Sequence, residues 1–166
     1  MGVLKLPKRL YRRETWLIKA TAICAIAVFM IAAKPLSAAE LSGVAAVIDG
    51  DTLDIGDVRI RLNGIDAPEA GQRCADSGSK TWRCGKAATS ELERLVDRKK
   101  LRCKVNDPDD GMGRTIASCF VNGRDIGEQM MLAGMAWAFV KYSQQYMEQE
   151  KAAKASGLGI WRSPTQ

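Results

Sequence analysis

From Leu41 onward, short apolar runs alternate with turn residues at the spacing of a small β structure. Val44 to Ile48 is a continuous apolar run, as expected of a buried strand, and Asp49-Gly50-Asp51 supplies a turn. Thr52-Leu53-Asp54-Ile55 predicts a second strand, Gly56-Asp57 a hairpin turn, and Val58 to Leu62 a third strand. That third strand alternates cleanly: Val58, Ile60 and Leu62 share one face, Arg59 and Arg61 the other. Asn63-Gly64 ends it. Asp66-Ala67-Pro68-Glu69 reads as a loop, because Pro68 disfavours the helical region at Ala67.

Residues 70–83, mixing Gly, Ser, Asp and Cys, predict an irregular surface loop. Lys86 to Val96 has helical period, with Ala88, Leu92 and Leu95 on one side. Leu101 to Val105 and Arg114 to Val121 predict strands across the wide turn Asn106-Asp107-Pro108-Asp109-Asp110-Gly111. Asp125 to Leu132 reads as a short helix capped by Asp125, with Gly134 beyond its end. Ala136 to Val140 is a short apolar segment. Ser143 to Ser156 predicts a last helix, stopped by Gly157 and Gly159, after which Ile160-Trp161 folds back onto the core. Trp137, Trp161, Met130, Met131 and Met135 are expected to be packing residues. Five short strands with three helices suggest an α+β protein: a β-barrel of the oligonucleotide-binding type with helices packed on it.

The first 39 residues have a different pattern. Basic residues up to Lys19 precede the apolar run Ala20–Ala33, Pro35 breaks it, and Ser37-Ala38-Ala39 offers small residues for a signal peptidase. This predicts a signal peptide over 1–39, cut after Ala39 or Ala38, and a domain over 40–166. The run is shorter than the roughly 18–20 residues of a spanning helix. An uncleaved membrane anchor, helped by Trp16, Leu17 and Ile18, is the competing reading. Arg12-Arg13 before Trp16-Leu17 matches a twin-arginine signal only loosely.

Charge and cysteines narrow the picture. The 166-residue chain carries +6, but residues 1–39 hold seven basic residues and one acid, leaving 40–166 formally neutral. A polyanionic partner therefore has to be argued from a local site and not from bulk charge. Cys24 falls in the leader; Cys74, Cys84, Cys103 and Cys119 remain. An even number in a small exported domain predicts two disulfides with three possible connectivities, of which Cys74–Cys84 and Cys103–Cys119 is the proposed one. Four thiolates on zinc is the rival, and the lack of any Cys-x-x-Cys pair speaks against it.

There is no His, which excludes imidazole bases, Ser-His-Asp triads and His-ligated metal. What remains is Asp49-Gly50-Asp51-Thr52, then Arg61 with Asp66-Ala67-Pro68-Glu69, and Asp110-Gly111-Met112-Gly113-Arg114. Each has an ordinary reading as a turn, a solvated strand residue or a hairpin. Together, carboxylates at strand ends suit a hard cation such as Ca²⁺, and two guanidinium forks suit phosphate oxygens. The combination describes metal-assisted phosphodiester cleavage.

On these motifs, with Gly134-Met135-Ala136-Trp137 and Gly159-Ile160-Trp161, residues 41–161 resemble the staphylococcal nuclease (thermonuclease) family. The resemblance implies a five-stranded oligonucleotide-binding barrel with about three helices and a Ca²⁺-dependent nuclease acting on DNA and RNA, flexible or single strands favoured. It implies Asp51 and Asp66 as carboxylate ligands of Ca²⁺ and Ala67 as a backbone-carbonyl ligand. Glu69 would position or deprotonate the attacking water, while Arg61 and Arg114 would grip the phosphate. The chain departs from the family at Met112, in the Cys74–Cys84 loop and around Phe139 and Tyr142, which bears on nucleotide preference. No small-molecule cofactor is expected, a monomer is, and the location is periplasmic or secreted. Membrane contact follows only from an uncleaved leader. A non-catalytic module that binds nucleic acid, or an envelope polysaccharide or protein, is the alternative. It should have lost at least one of Asp51, Arg61, Asp66, Glu69 and Arg114, and all five are present.

Overall fold

The computed structural model describes residues 39–162 apart from 77 and 79; the leader expected over 1–39 lies outside the described residues but for Ala39. The first described element is strand β1 (Glu40–Val47), which forms a meander with β2 (Thr52–Ile55) and β3 (Val58–Leu62). A two-residue strand β4 (Ile65–Asp66) follows, then a tiny hairpin of β5 (Cys74–Ala75) and β6 (Thr81–Trp82). Helix α1 (Cys84–Val96) leads into β7 (Lys100–Asp107) and β8 (Thr115–Val121). After β9 (Arg124–Asp125) come α2 (Ile126–Leu132), β10 (Trp137–Ala138) and α3 (Met147–Ala155), and a 3₁₀ turn (Gly159–Trp161) closes the described chain.

The main sheet runs β3-β2-β1-β7-β8-β9, and β8 returns to pair in parallel with β3. That last pairing closes five strands into a barrel, which removes the free edges a small open sheet would expose. Leu53, Ile60, Leu62, Leu101 and Ala117 fill its inside, and Leu92 and Val96 of α1 with Ile126, Met130 and Met131 of α2 complete the core. Cys103 and Cys119 stand directly opposite each other on β7 and β8 and are bonded; Cys74 and Cys84 form the other disulfide. The predicted pairing holds and zinc ligation by the four cysteines does not.

Several local expectations change. β1 is not buried throughout: Leu41, Gly43, Ala45 and Val47 turn inward while Val44 and Ile48 are 56 % and 42 % exposed. An apolar residue on the outer face hides the period-2 signal, so the run looks continuous in sequence. The loop 70–83 contains the β5–β6 hairpin, closed by the Cys74–Cys84 bond. The last helix starts at Met147 and not Ser143, because Tyr146 turns inward. Its side chain is buried, and its hydroxyl donates to the Asp125 carboxylate, 3.0 Å from each oxygen. Burial and the Asp125 charge both push this phenol far above its ordinary range. Asp125 also caps α2 as predicted, accepting from the Glu128 N–H at 3.2 Å. Among the described residues no helix is long and apolar enough to cross a membrane.

Candidate active site

Strand register assembles the site. Thr52 pairs with Arg61 across β2 and β3, so Arg61 lies beside Asp51, the residue that enters β2. The Leu62 N–H donates to the Asp51 carbonyl at 2.8 Å, which fixes that junction. Asp49 is the turn former predicted: its Oδ1 accepts the Asp51 N–H at 3.0 Å. Asp66, expected in a loop, belongs to β4 and is held opposite Trp137 of β10. Arg61 also pairs with Ile116 in the parallel β3–β8 ladder, which brings the start of β8, and Arg114 just before it, alongside.

Asp51 is 4 % exposed, an unusual place for a carboxylate. Its Oδ1 accepts from the Thr52 hydroxyl at 2.9 Å and from Arg61 Nη1 at 3.3 Å. Its Oδ2 accepts from the Ala67 N–H at 3.0 Å and lies 3.1 Å from Arg61 Nη2. The same Nη2 donates to Asp66 Oδ1. One guanidinium thus serves two carboxylates, and it cannot neutralise both. Burial pushes Asp51 up to about 6 from its usual 3.8, against the pull of Arg61.

A buried carboxylate held above its ordinary range, next to a second, half-exposed one, is a donor pair that a hard cation would relieve. Among the described residues no three His, Cys, Asp or Glu side chains converge on one point. Two carboxylates are too few to enclose a hard cation by themselves, so one bound here would complete its shell with other oxygens.

Arg61 and Arg114 line one cleft of about 430 Å³, together with Asp110, Met112, Phe139 and Tyr142. Arg61 lies 5.7 Å from the Phe139 ring centre, and Phe139 packs on Tyr142 at 4.8 Å. Arg114 sits in the turn before β8 and not on the strand. Its Nε donates to Asp110 Oδ2 at 2.7 Å, while Asp110 Oδ1 accepts the N–H groups of Met112 and Arg114. Burial works against the Asp110 charge, but these hydrogen bonds and the guanidinium hold its carboxyl below the ordinary range. Asp110 is the positioning residue that the sequence reading missed. Its signal was the four-residue spacing to Arg114 inside the turn. The acidic run 107–110 is a set of turns closing on its own backbone, since Asp109 Oδ1 accepts from Gly111 and Gly113.

Glu69 is the outlier of the predicted set. It is exposed, and its backbone is tied to Gln72, whose N–H donates to the Glu69 carbonyl at 2.7 Å. Its carboxylate makes no hydrogen bond or ion pair among the described residues. What positions it is Gly85 near the start of α1. A Cβ there would stand 1.7 Å from the Glu69 carbonyl oxygen, so only glycine lets the helix meet this loop. Gly85→Ala must push residues 67–70 away from the site. A displacement of about 1 Å costs on the order of 10²-fold in a positioned reaction. We expect a loss of that size with the barrel retained, read by turnover and circular dichroism.

Residues 59–163 match the sequence family described as staphylococcal nuclease homologue. A micrococcal nuclease of Shigella flexneri is 31 % identical over 157 residues, covering 84 % of this chain and 84 % of that protein. An uncharacterized endonuclease of Haemophilus influenzae is 32 % identical over 125 residues, 71 % of this chain and 64 % of its own length. The succinoglycan biosynthesis protein ExoI of Rhizobium meliloti is 35 % identical over 130 residues, 76 % of this chain and 68 % of its own.

Proposed function

The chain belongs to the staphylococcal nuclease family, and on that premise we propose that it is a Ca²⁺-dependent nuclease that hydrolyses phosphodiester bonds of DNA and RNA, flexible or single strands foremost. The observation that carries the reading is the cleft shared by Arg61 and Arg114, with the Asp51 and Asp66 carboxylates bonded to Arg61. Asp51, Asp66 and the Ala67 carbonyl would hold the cation, which when bound would supply Lewis-acid charge to the phosphate.

The remaining chemistry is the chain's own. Arg61 and Arg114 present planar forks to the non-bridging oxygens and hold the phosphorus in place. The Glu69 carboxylate accepts a proton from a water as its oxygen bonds to phosphorus. The P–O bond to the leaving group breaks, and that oxygen leaves with a proton from solvent. Both guanidiniums then stabilise the charge that builds on the phosphate, the step at which fixed donors count most. Asp110, bonded to Arg114 Nε, holds that side chain at the cleft.

Two disulfides support folding in an oxidising compartment, and with the leader's pattern they support export. The test is cleavage of single- and double-stranded DNA and of RNA with Ca²⁺ and with a chelator. Cleavage is expected with Ca²⁺ only. Glu69→Gln should lower turnover by about 10²-fold, within the range for a general base. Arg114→Ala should lower it by on the order of 10²–10³-fold. No cleavage by the folded, oxidised protein overturns the nuclease reading.

A further inference from the structure

A second cleft, of about 520 Å³, begins one residue beyond Glu69 and is walled by Ala70, Gly71, Arg73, Arg83, Lys86 and neighbours on α1. Its charge is unlike that of the rest of the domain. Residues 40–166 are balanced overall, yet residues 70–90 carry Arg73, Lys80, Arg83 and Lys86 against Asp76 alone. Most cations elsewhere are spent on acids: Arg59 on Asp54, Arg94 on Glu91, Arg102 on Glu40 and Lys154 on Glu150. In this cleft Arg83 and Lys86 have no ion pair among the described residues. Arg73 is held by neutral acceptors, Thr81 Oγ1 at 2.8 Å and the Thr81 carbonyl at 3.3 Å, so its charge is fixed in place but not cancelled. Glu93 is the one acid in the lining.

The covalent frame explains how the cations gather. Arg73 and Arg83 each precede a cysteine, and the Cys74–Cys84 bond draws the two together, with Cα atoms 5.6 Å apart. The Gly85 N–H donates to the Gln72 carbonyl at 3.2 Å, which clamps the same two segments a second time. Lys86 follows on the first turn of α1. Three cations on a braced wall, next to the loop that carries Glu69, suit a polyanion with regularly spaced charges.

We propose that this cleft is a second phosphate site, in which Arg73, Arg83 and Lys86 hold the substrate strand at phosphodiesters beyond the one being cut. The proposal rests on the nuclease reading for the identity of the strand. It gives a near-neutral domain a local grip on nucleic acid where bulk charge supplies none. It also places that grip on the loop closed by the Cys74–Cys84 disulfide.

The test is fluorescence-anisotropy binding of an oligothymidine of about 20 nucleotides, longer than one barrel of this type occupies. It is run in chelator, without cleavage, over a range of salt. Arg83→Ala/Lys86→Ala is compared with Lys100→Ala/Lys104→Ala, which removes the same charge from the exposed face of β7. We expect about tenfold weaker binding by the first variant, and a salt slope shallower by about 1.4, the counterion release of two single-strand phosphates. The β7 variant should stay within about twofold of wild type. Equal losses in the two variants, or an unchanged slope in the first, overturn the proposal. Binding in chelator does not depend on turnover. A protein that binds but never cleaves therefore defeats the nuclease reading and leaves this result standing.

Discussion

Arg61→Ala is expected to lower cleavage by about 10³-fold, the upper end for loss of one fixed donor at a developing charge. It is also expected to destabilise the fold by about 3–5 kcal/mol, the range for stranding one member of a buried pair. Both effects come from the same three contacts. The guanidinium bonds both oxygens of Asp51 and one of Asp66, and it is itself only 15 % exposed. Its removal leaves Asp51 buried with its Thr52 and Ala67 hydrogen bonds but no cation among the described groups. Arg61→Lys separates the two roles. Lysine restores a positive charge near Asp51, so unfolding by denaturant should recover part of the lost stability. It presents a point charge where two carboxylates and a phosphate need a planar fork, so turnover should stay within about tenfold of the alanine variant. If lysine restores turnover as fully as stability, Arg61 serves the fold and not the phosphate.

How much of this was legible beforehand depends on whether the signal was local. The β3 alternation, the Asp125 cap and the Asp49 turn lie within a few residues, and each appears where the pattern put it. The two disulfides were narrowed by cysteine count and settled by strand register, with Cys103 facing Cys119. The site was legible as residue types at strand ends, but not as a geometry. Nothing near Asp51 in sequence says that Arg61, ten residues on, will share its guanidinium with Asp66. Non-local ties were invisible for the same reason. The Tyr146–Asp125 bond spans 21 residues and moves the start of α3. The two-residue strands β4 and β10 are too short for any period, yet their pairing is what sets Asp66 in place. Asp110 was read only as part of a turn, so its tie to Arg114 went unassigned. Here its side chain is 9 % exposed and committed to Arg114.

Asp51→Asn is expected to remove cation-dependent cleavage, by at least about 10²–10³-fold, since the buried member of the donor pair loses its charge. It is also expected to make the cation-free fold less sensitive to pH. In the wild type the Asp51 carboxyl titrates near 3.8 when unfolded and near 6 when folded, because burial outweighs the pull of Arg61. Between those values the folded state binds the extra proton. Stability from this group is therefore greatest below about 3.8 and falls as pH rises toward 6, by about 3 kcal/mol in all. Asparagine has no proton to lose, so the pH 4 to pH 7.5 difference in urea unfolding, measured in chelator, should shrink by most of that amount, about 2.4 kcal/mol. Arg61 keeps a partner in Asp66, so the substitution strands no charge. The same proton competes with the cation: affinity measured by calorimetry should be flat above about pH 6 and fall about tenfold per unit below it. A wild type that gains stability in chelator between pH 4 and 6, with asparagine abolishing the gain, would mean that the Arg61 pairing outweighs burial. The Asp51 carboxylate would then be held by the protein and not waiting for a cation.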